Sequence, residues 1–138
     1  MSNERIIKIY SDLDRFFTDL KKINLTKKSD LEDMLKFHAV SMLLFSILNR
    51  TIDLGEEIIA FKHLPLPDSH KSIFEILAKE KIISKEDEEQ LKFMVNFRNL
   101  IAHQYYAFDE ADIFKVYSNL DIISKFIDSS KKLFKVKP

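Results

Sequence analysis

Within FMVNFRNLIAHQYYAFDE, residues 93–110, Asn96, Arg98, Asn99 and His103 interrupt one of the most apolar helical runs of the chain. Histidine titrates near neutral pH and can give or take a proton. Arginine stays charged, and its planar fork matches two phosphate oxygens. Asparagine can orient a phosphate, a water or the imidazole. That set suffices for RNA cleavage without a metal. A base removes the ribose 2′-hydroxyl proton and the oxygen attacks the adjacent phosphorus. Arginine stabilises the added charge, and an acid protonates the leaving 5′-oxygen. The remaining histidines offer less. His38 sits on an apolar helix face, His63 and His70 flank a proline loop, and none has a metal ligand at suitable spacing. There is no glycine-rich phosphate loop, HExxH or serine-nucleophile elbow, so neither metal nor cofactor is expected.

A helix turns about 100° per residue. On residues 91–105 this gathers Lys92, Asn96, Asn99 and His103 into one polar stripe. Leu91, Met94, Val95, Ala102 and Tyr105 share another face with Arg98 among them, and Phe93, Phe97, Leu100 and Gln104 form a third side. Apolar on two sides, this helix is expected to be central. Arg98 and His103 point about 140° apart on an ideal helix. They meet if the helix ends or distorts near Ala102, if the arginine wraps around, or if a symmetric partner completes the site. Arg98 can instead be a core arginine paired with Asp53, Glu56 or Glu57, and His103 an ordinary hydrogen-bonded histidine.

The surrounding elements are helical. Ile6, Ile9, Tyr10, Leu13, Phe16, Phe17 and Leu20 recur at spacings of three and four in a first helix that ends near KKINLTKK. Ser29 with Glu32 has the form of a capping box and predicts a second helix reaching about Phe61. Leu31, Met34, Leu35, His38, Met42, Phe45, Leu48 and Ile52 form one side of it. Gly55 falls inside that helix, where glycine costs about 1 kcal/mol relative to alanine; close approach by another helix or a ligand would explain it. HLPLPDSH reads as a loop, because its prolines cannot sit in a helix interior. Asp68 or Ser69 caps a short third helix, Ser84 with Asp87 opens the fourth at about Lys85, and Asp109 with Asp112 opens a fifth. Ile113, Val116, Tyr117, Leu120, Ile123 and Ile127 make that last helix amphipathic. The expectation is an all-α, up-and-down bundle of about five helices in a single domain spanning residues 1–138.

Composition agrees. The 138 residues are 46% hydrophobic, with 12 phenylalanines, one glycine and three prolines, enough for a core and too few turn residues for an all-β fold. Without cysteine there is no disulfide, thiolate metal site or cysteine nucleophile. Twenty-two basic and twenty-two acidic residues give zero net charge, which disfavours coating nucleic acid through long-range attraction but permits a local phosphate site. No signal peptide and no membrane-spanning run is evident, so a soluble, cytoplasmic protein is expected.

Arg98 to Tyr105, RNLIAHQY, resembles the Arg-x4-His-x-Tyr motif of HEPN-domain ribonuclease toxins of the HepT type. The likeness extends over the chain: a leading helix, a long second helix with its IDLGEEI segment, a proline loop, a short helix before the motif helix and a closing amphipathic helix. It implies a HEPN-like fold and a homodimer whose two motifs line a shared cleft. It also implies endoribonuclease activity on an RNA substrate, with Arg98 and His103 catalytic and Asn99 and Asn96 in support. Such toxins belong to type VII-like toxin–antitoxin systems. Their partner is a cognate, MntA-type minimal nucleotidyltransferase antitoxin that transfers AMP to the motif tyrosine, here Tyr105, with Tyr106 directly after it. Some HEPN proteins are instead non-catalytic nucleotide- or partner-binding modules that accompany a nucleotidyltransferase.

Overall fold

The computed structural model describes residues 3–104 and 107–135. Its elements are α1 (Asn3–Ile23), a 3₁₀ helix (Lys28–Glu32), α2 (Met34–Phe61), α3 (His70–Lys79), α4 (Lys85–His103), α5 (Glu110–Tyr117) and α6 (Asp121–Phe134). The architecture is all-α, as the periodicities require. One buried apolar cluster draws on every helix, from Ile9 and Leu13 of α1 to Ile123 and Phe126 of α6.

The caps explain most boundaries. Ser69 Oγ accepts from the Ser72 N–H at 3.1 Å, and Ser84 Oγ from the Asp87 N–H at 3.0 Å. Asp109 and Asp112 form a reciprocal capping box. The second helix departs from expectation. Asp30 Oδ2 accepts from the backbone N–H groups of Thr26 and Lys27 and from the Thr26 hydroxyl, and these bonds hold its carboxyl below the usual carboxylate range. They close residues 26–30 into a tight turn, so Ser29 caps nothing. The α-helix starts afresh at Met34 with Asp33 as its cap, whose Oδ1 accepts from the Lys36 N–H at 3.0 Å. The last expected helix divides in two. The Asn119 side chain donates to the Lys115 carbonyl at 2.7 Å, competing with the backbone ladder, and the chain turns between α5 and α6.

The only glycine lies inside a helix, and Asn24, His63, Lys81 and Lys135 just past helix ends adopt φ of 55–60° instead. A Cβ on Gly55 would lie 2.7 Å from Ile73 Cγ2, a fully buried side chain of α3. Gly55 is therefore what lets α3 approach α2 closely.

The hub of the bundle is α2, which packs against α1, α3, α4, α5 and α6, whereas α4 packs on α2, α3 and α6. The central position expected of the motif helix belongs to α2. Its buried face carries Val40, Ser41, Leu44, Ile47, Leu48, Thr51 and Ile52. The side that periodicity gathers divides: Leu31, Leu48 and Ile52 are buried, whereas Met34 is 67% exposed, Leu35 74% and Met42 56%, and His38 is exposed too. From Phe37 to Asn49 there is no Asp, Glu, Lys or Arg, so this helix presents an uncharged strip to solvent.

No helix among the described residues is long and apolar enough to cross a membrane.

The candidate functional site around Arg98

Leu91, Met94, Val95, Phe97 and Ile101 are the buried apolar residues of α4, and they fix the helix against its neighbours. Arg98 follows this face but is only half-buried. Its guanidinium turns toward α2. Nε donates to Asn49 Oδ1 at 2.6 Å and Nη1 to Asn99 Oδ1 at 3.1 Å, and the group lies 5.4 Å over the Phe45 ring.

None of the carboxylates considered as partners is engaged with it. Asp53 accepts from Arg50 Nη1 at 3.0 Å, Glu57 pairs with Arg5, and Glu56 is exposed. Arg50 also binds the buried Asp12 through Nε at 3.0 Å and Nη2 at 2.5 Å. Burial raises the Asp12 pKa, but the hydrogen bonds from Arg50 and Lys8 outweigh it and hold the carboxyl below its ordinary range. Arg15 lies 3.7 Å from the same carboxylate. Among the described residues, then, Arg5, Arg15 and Arg50 each face a carboxylate and Arg98 faces two neutral amide oxygens. No carboxylate of the described residues pairs with its charge at contact distance, which equips it to take an anion with two acceptor oxygens.

The polar stripe of α4 does not act as one group. Lys92 pairs with Glu75 of α3 at 3.0 Å and with the buried Glu88 at 3.6 Å, and the bond to Glu75 holds its ammonium above the ordinary range. It is a tie between helices. Asn96 is exposed and borders a groove with Phe93, Phe97, Leu100 and Lys115, away from the guanidinium. Asn99 turns back to Arg98. His103 is the last residue of α4 and is exposed. Among the described residues its imidazole has no hydrogen-bond partner.

The helix end decides a further point. Gln104 caps α4 with φ −142° and ψ 56°, its N–H bonded to the Leu100 carbonyl. The helix therefore does not continue through Gln104, and the expectation that Tyr105 shares the Arg98 face of a continuing helix loses its premise. Tyr105 and Tyr106 lie outside the described residues. Beyond them Phe108 is buried, stacked 5.8 Å from Phe37 and edge-on 5.6 Å from Phe97, and it anchors the chain ahead of α5. Two contributors escaped the sequence reading, Asn49 and Phe45. Their signal was present in part: Asn49 is the only amide in the uncharged run of α2 and lies four residues after Phe45, on the same helix face.

The family model described as "Ribonuclease HepT-like" matches residues 6–130. No curated protein matches in sequence. Among solved structures, the chain is similar to one from a toxin–antitoxin crystal structure with AMP-PNP. It shares 23% identity with that chain at a TM-score of 0.83, covering 94% of this chain and 99% of the other. It is also similar to a chain of the tri-AMPylated Shewanella oneidensis HEPN toxin in complex with MNT antitoxin. There the identity is 25% and the TM-score 0.81, covering 96% and 99%. YutE, a cytosolic protein of unknown function from Bacillus subtilis, has the same fold at 19% identity and a TM-score of 0.79, covering 93% and 89%.

Proposed function

Because the chain belongs to the HepT-like ribonuclease family, we propose that it is the toxin of a toxin–antitoxin pair and a metal-independent endoribonuclease, with Arg98 and His103 as its catalytic residues. The observation that carries this reading is the half-buried guanidinium of Arg98, held by the neutral oxygens of Asn49 and Asn99 and paired with no carboxylate among the described residues. Bound there, an RNA phosphate receives two charge-assisted hydrogen bonds, and these strengthen as charge builds up at phosphorus. His103 exchanges protons with the ribose 2′-hydroxyl or the leaving 5′-oxygen. The 2′-oxygen bonds to phosphorus as the bond to the 5′-oxygen breaks, leaving a 2′,3′-cyclic phosphate and a 5′-hydroxyl. Incubation with mixed single-stranded and transfer RNA should yield those ends in the presence of EDTA. Inhibition by EDTA that added metal restores would sink this mechanism.

The direction of the two side chains favours action as a homodimer. Arg98 and His103 diverge by about 140° on a regular helix, and α4 is helical through both. The uncharged strip of α2 runs from Leu35 through Met42 to Phe45 beneath the Arg98 guanidinium. A second copy seated on that strip would bury it and bring the two motifs together across one cleft. Met42→Lys adds a charge at an exposed position and should leave the fold intact while shifting the protein to monomer in sedimentation and weakening cleavage. A variant that still dimerised like wild type would move the interface elsewhere.

Control by a cognate nucleotidyltransferase completes the reading. The similar Shewanella oneidensis HEPN toxin is AMPylated and in complex with its MNT antitoxin, and Tyr105 occupies the motif-tyrosine position. AMP on Tyr105, two positions after His103 in the chain, would add a negative phosphate and a bulky adenosine to the motif and repel the incoming RNA backbone. Tyr105→Phe should escape neutralisation by the co-expressed partner, and mass spectrometry of the wild-type pair should find AMP between Asn99 and Lys115. Modification of Tyr106 alone would reassign the site; no modification would favour steric masking by the antitoxin.

A further inference from the structure

We propose that Asn49 is a positioning residue for Arg98, and that its being an amide rather than a carboxylate is what leaves the arginine's charge to the substrate. This deepens the ribonuclease reading and rests on it. The Asn49 Oδ1 bond to Nε, at 2.6 Å, fixes rotation at the guanidinium end of a long, flexible side chain. The bond from Nη1 to Asn99 and the Phe45 ring beneath complete the cradle. All three contacts are to neutral groups. They spend the Nε–H and one Nη1–H; among the described residues the Nη2 donors have no partner, which leaves that side of the fork for a ligand.

The contrast within the chain makes the point. Arg50 is also anchored through Nε to a residue on another helix, but that residue is Asp12, with Asp53 added. Burial would lower the Arg50 pKa; the two carboxylates outweigh it and raise it. Arg50 is thereby neutralised and serves structure. Replacing Asn49 by aspartate would turn the Arg98 site into a second copy of the Arg50 site, with the same acceptor geometry and nearly the same volume but with the cation paired internally. An arginine can be held as rigidly by a carboxylate as by an amide; only the amide holds it without competing with phosphate.

Two variants separate holding from charge. Asn49→Asp should fold with unchanged circular dichroism and an equal or higher Tm. Its affinity for a 2′-O-methylated, mixed-sequence single-stranded RNA should fall about tenfold or more. The slope of log affinity against log salt should become shallower by about 0.7, the value of one phosphate contact to a single strand. Asn49→Ala keeps the charge and loses the hold. Its affinity and salt slope should stay near wild type, while single-turnover cleavage falls about 10–100-fold through a lower rate constant. Wild-type affinity, salt slope and cleavage in Asn49→Asp would overturn the proposal. So would an Asn49→Ala protein cleaving at the normal rate, even if Asn49→Asp failed to fold. Arg98→Ala is measured alongside. If it too bound and cleaved as wild type, the ribonuclease reading itself would fall; if it alone were defective, only the role of Asn49 would.

Discussion

Arg98→Lys should cleave RNA nearly as poorly as Arg98→Ala, about 10²–10³-fold below wild type, the usual loss for one pre-organised donor to the developing charge. The reason lies in the cradle. Arginine donates to Asn49 and Asn99 through one edge of its fork while another edge stays open. Lysine offers a single compact ammonium. If that ammonium reaches the Asn49 oxygen it is no longer set to meet two phosphate oxygens; if it meets the phosphate, nothing holds it. Charge is conserved and geometry is not. Quantified product ends at fixed RNA concentration, with circular dichroism and Tm to show an intact fold, make the comparison. A lysine variant within a few-fold of wild type would show that simple charge suffices.

His103→Ala should abolish both cleavage and growth toxicity, with a rate loss of about 10²–10⁴-fold, the range typical of a general acid or base. This is a clean position for the test. His103 is exposed at the end of α4 and has no hydrogen-bond partner among the described residues, so truncation there should change stability by less than about 0.5 kcal/mol. RNA affinity should also survive, because the phosphate contact belongs to Arg98. A protein that binds RNA and does not cut it separates the enzyme from a binding module, which would keep all its properties without the imidazole. Full toxicity in His103→Ala, with the fold unchanged, would remove His103 from the mechanism.

The caps of α3, α4 and α5 were legible because each depends on a residue bonding to a backbone N–H three positions away. Ser69, Ser84 and Asp109 needed only their own local sequence. Ser29 failed for an equally local reason: Asp30 captured the same stretch of backbone first, and Asp33 was left to start α2. The break between α5 and α6 comes where the Asn119 side chain bonds the Lys115 carbonyl and its own N–H bonds the Val116 carbonyl, a local change that an uninterrupted apolar stripe conceals.

The amino-acid sequence by itself determined the helical class, most helix ends and the Arg98–His103 spacing, since these follow from periodicity and short-range hydrogen bonding. Only the tertiary structure decided which face of α2 is core. Between Phe37 and Asn49 the helix is uncharged all round, so a hydrophobic period has no polar side to measure against, and packing by the surrounding elements selected Val40, Leu44 and Ile47 over Leu35 and Met42. The same is true of Arg98. Its candidate partners Asp53 and Glu57 are close in type and wrong in place, claimed by Arg50 and Arg5, and the oxygen that holds it comes from a residue forty-nine positions away in the chain. Which acceptor reaches a guanidinium is set by how two helices cross, and that is a property of the packed core, not of any window of sequence.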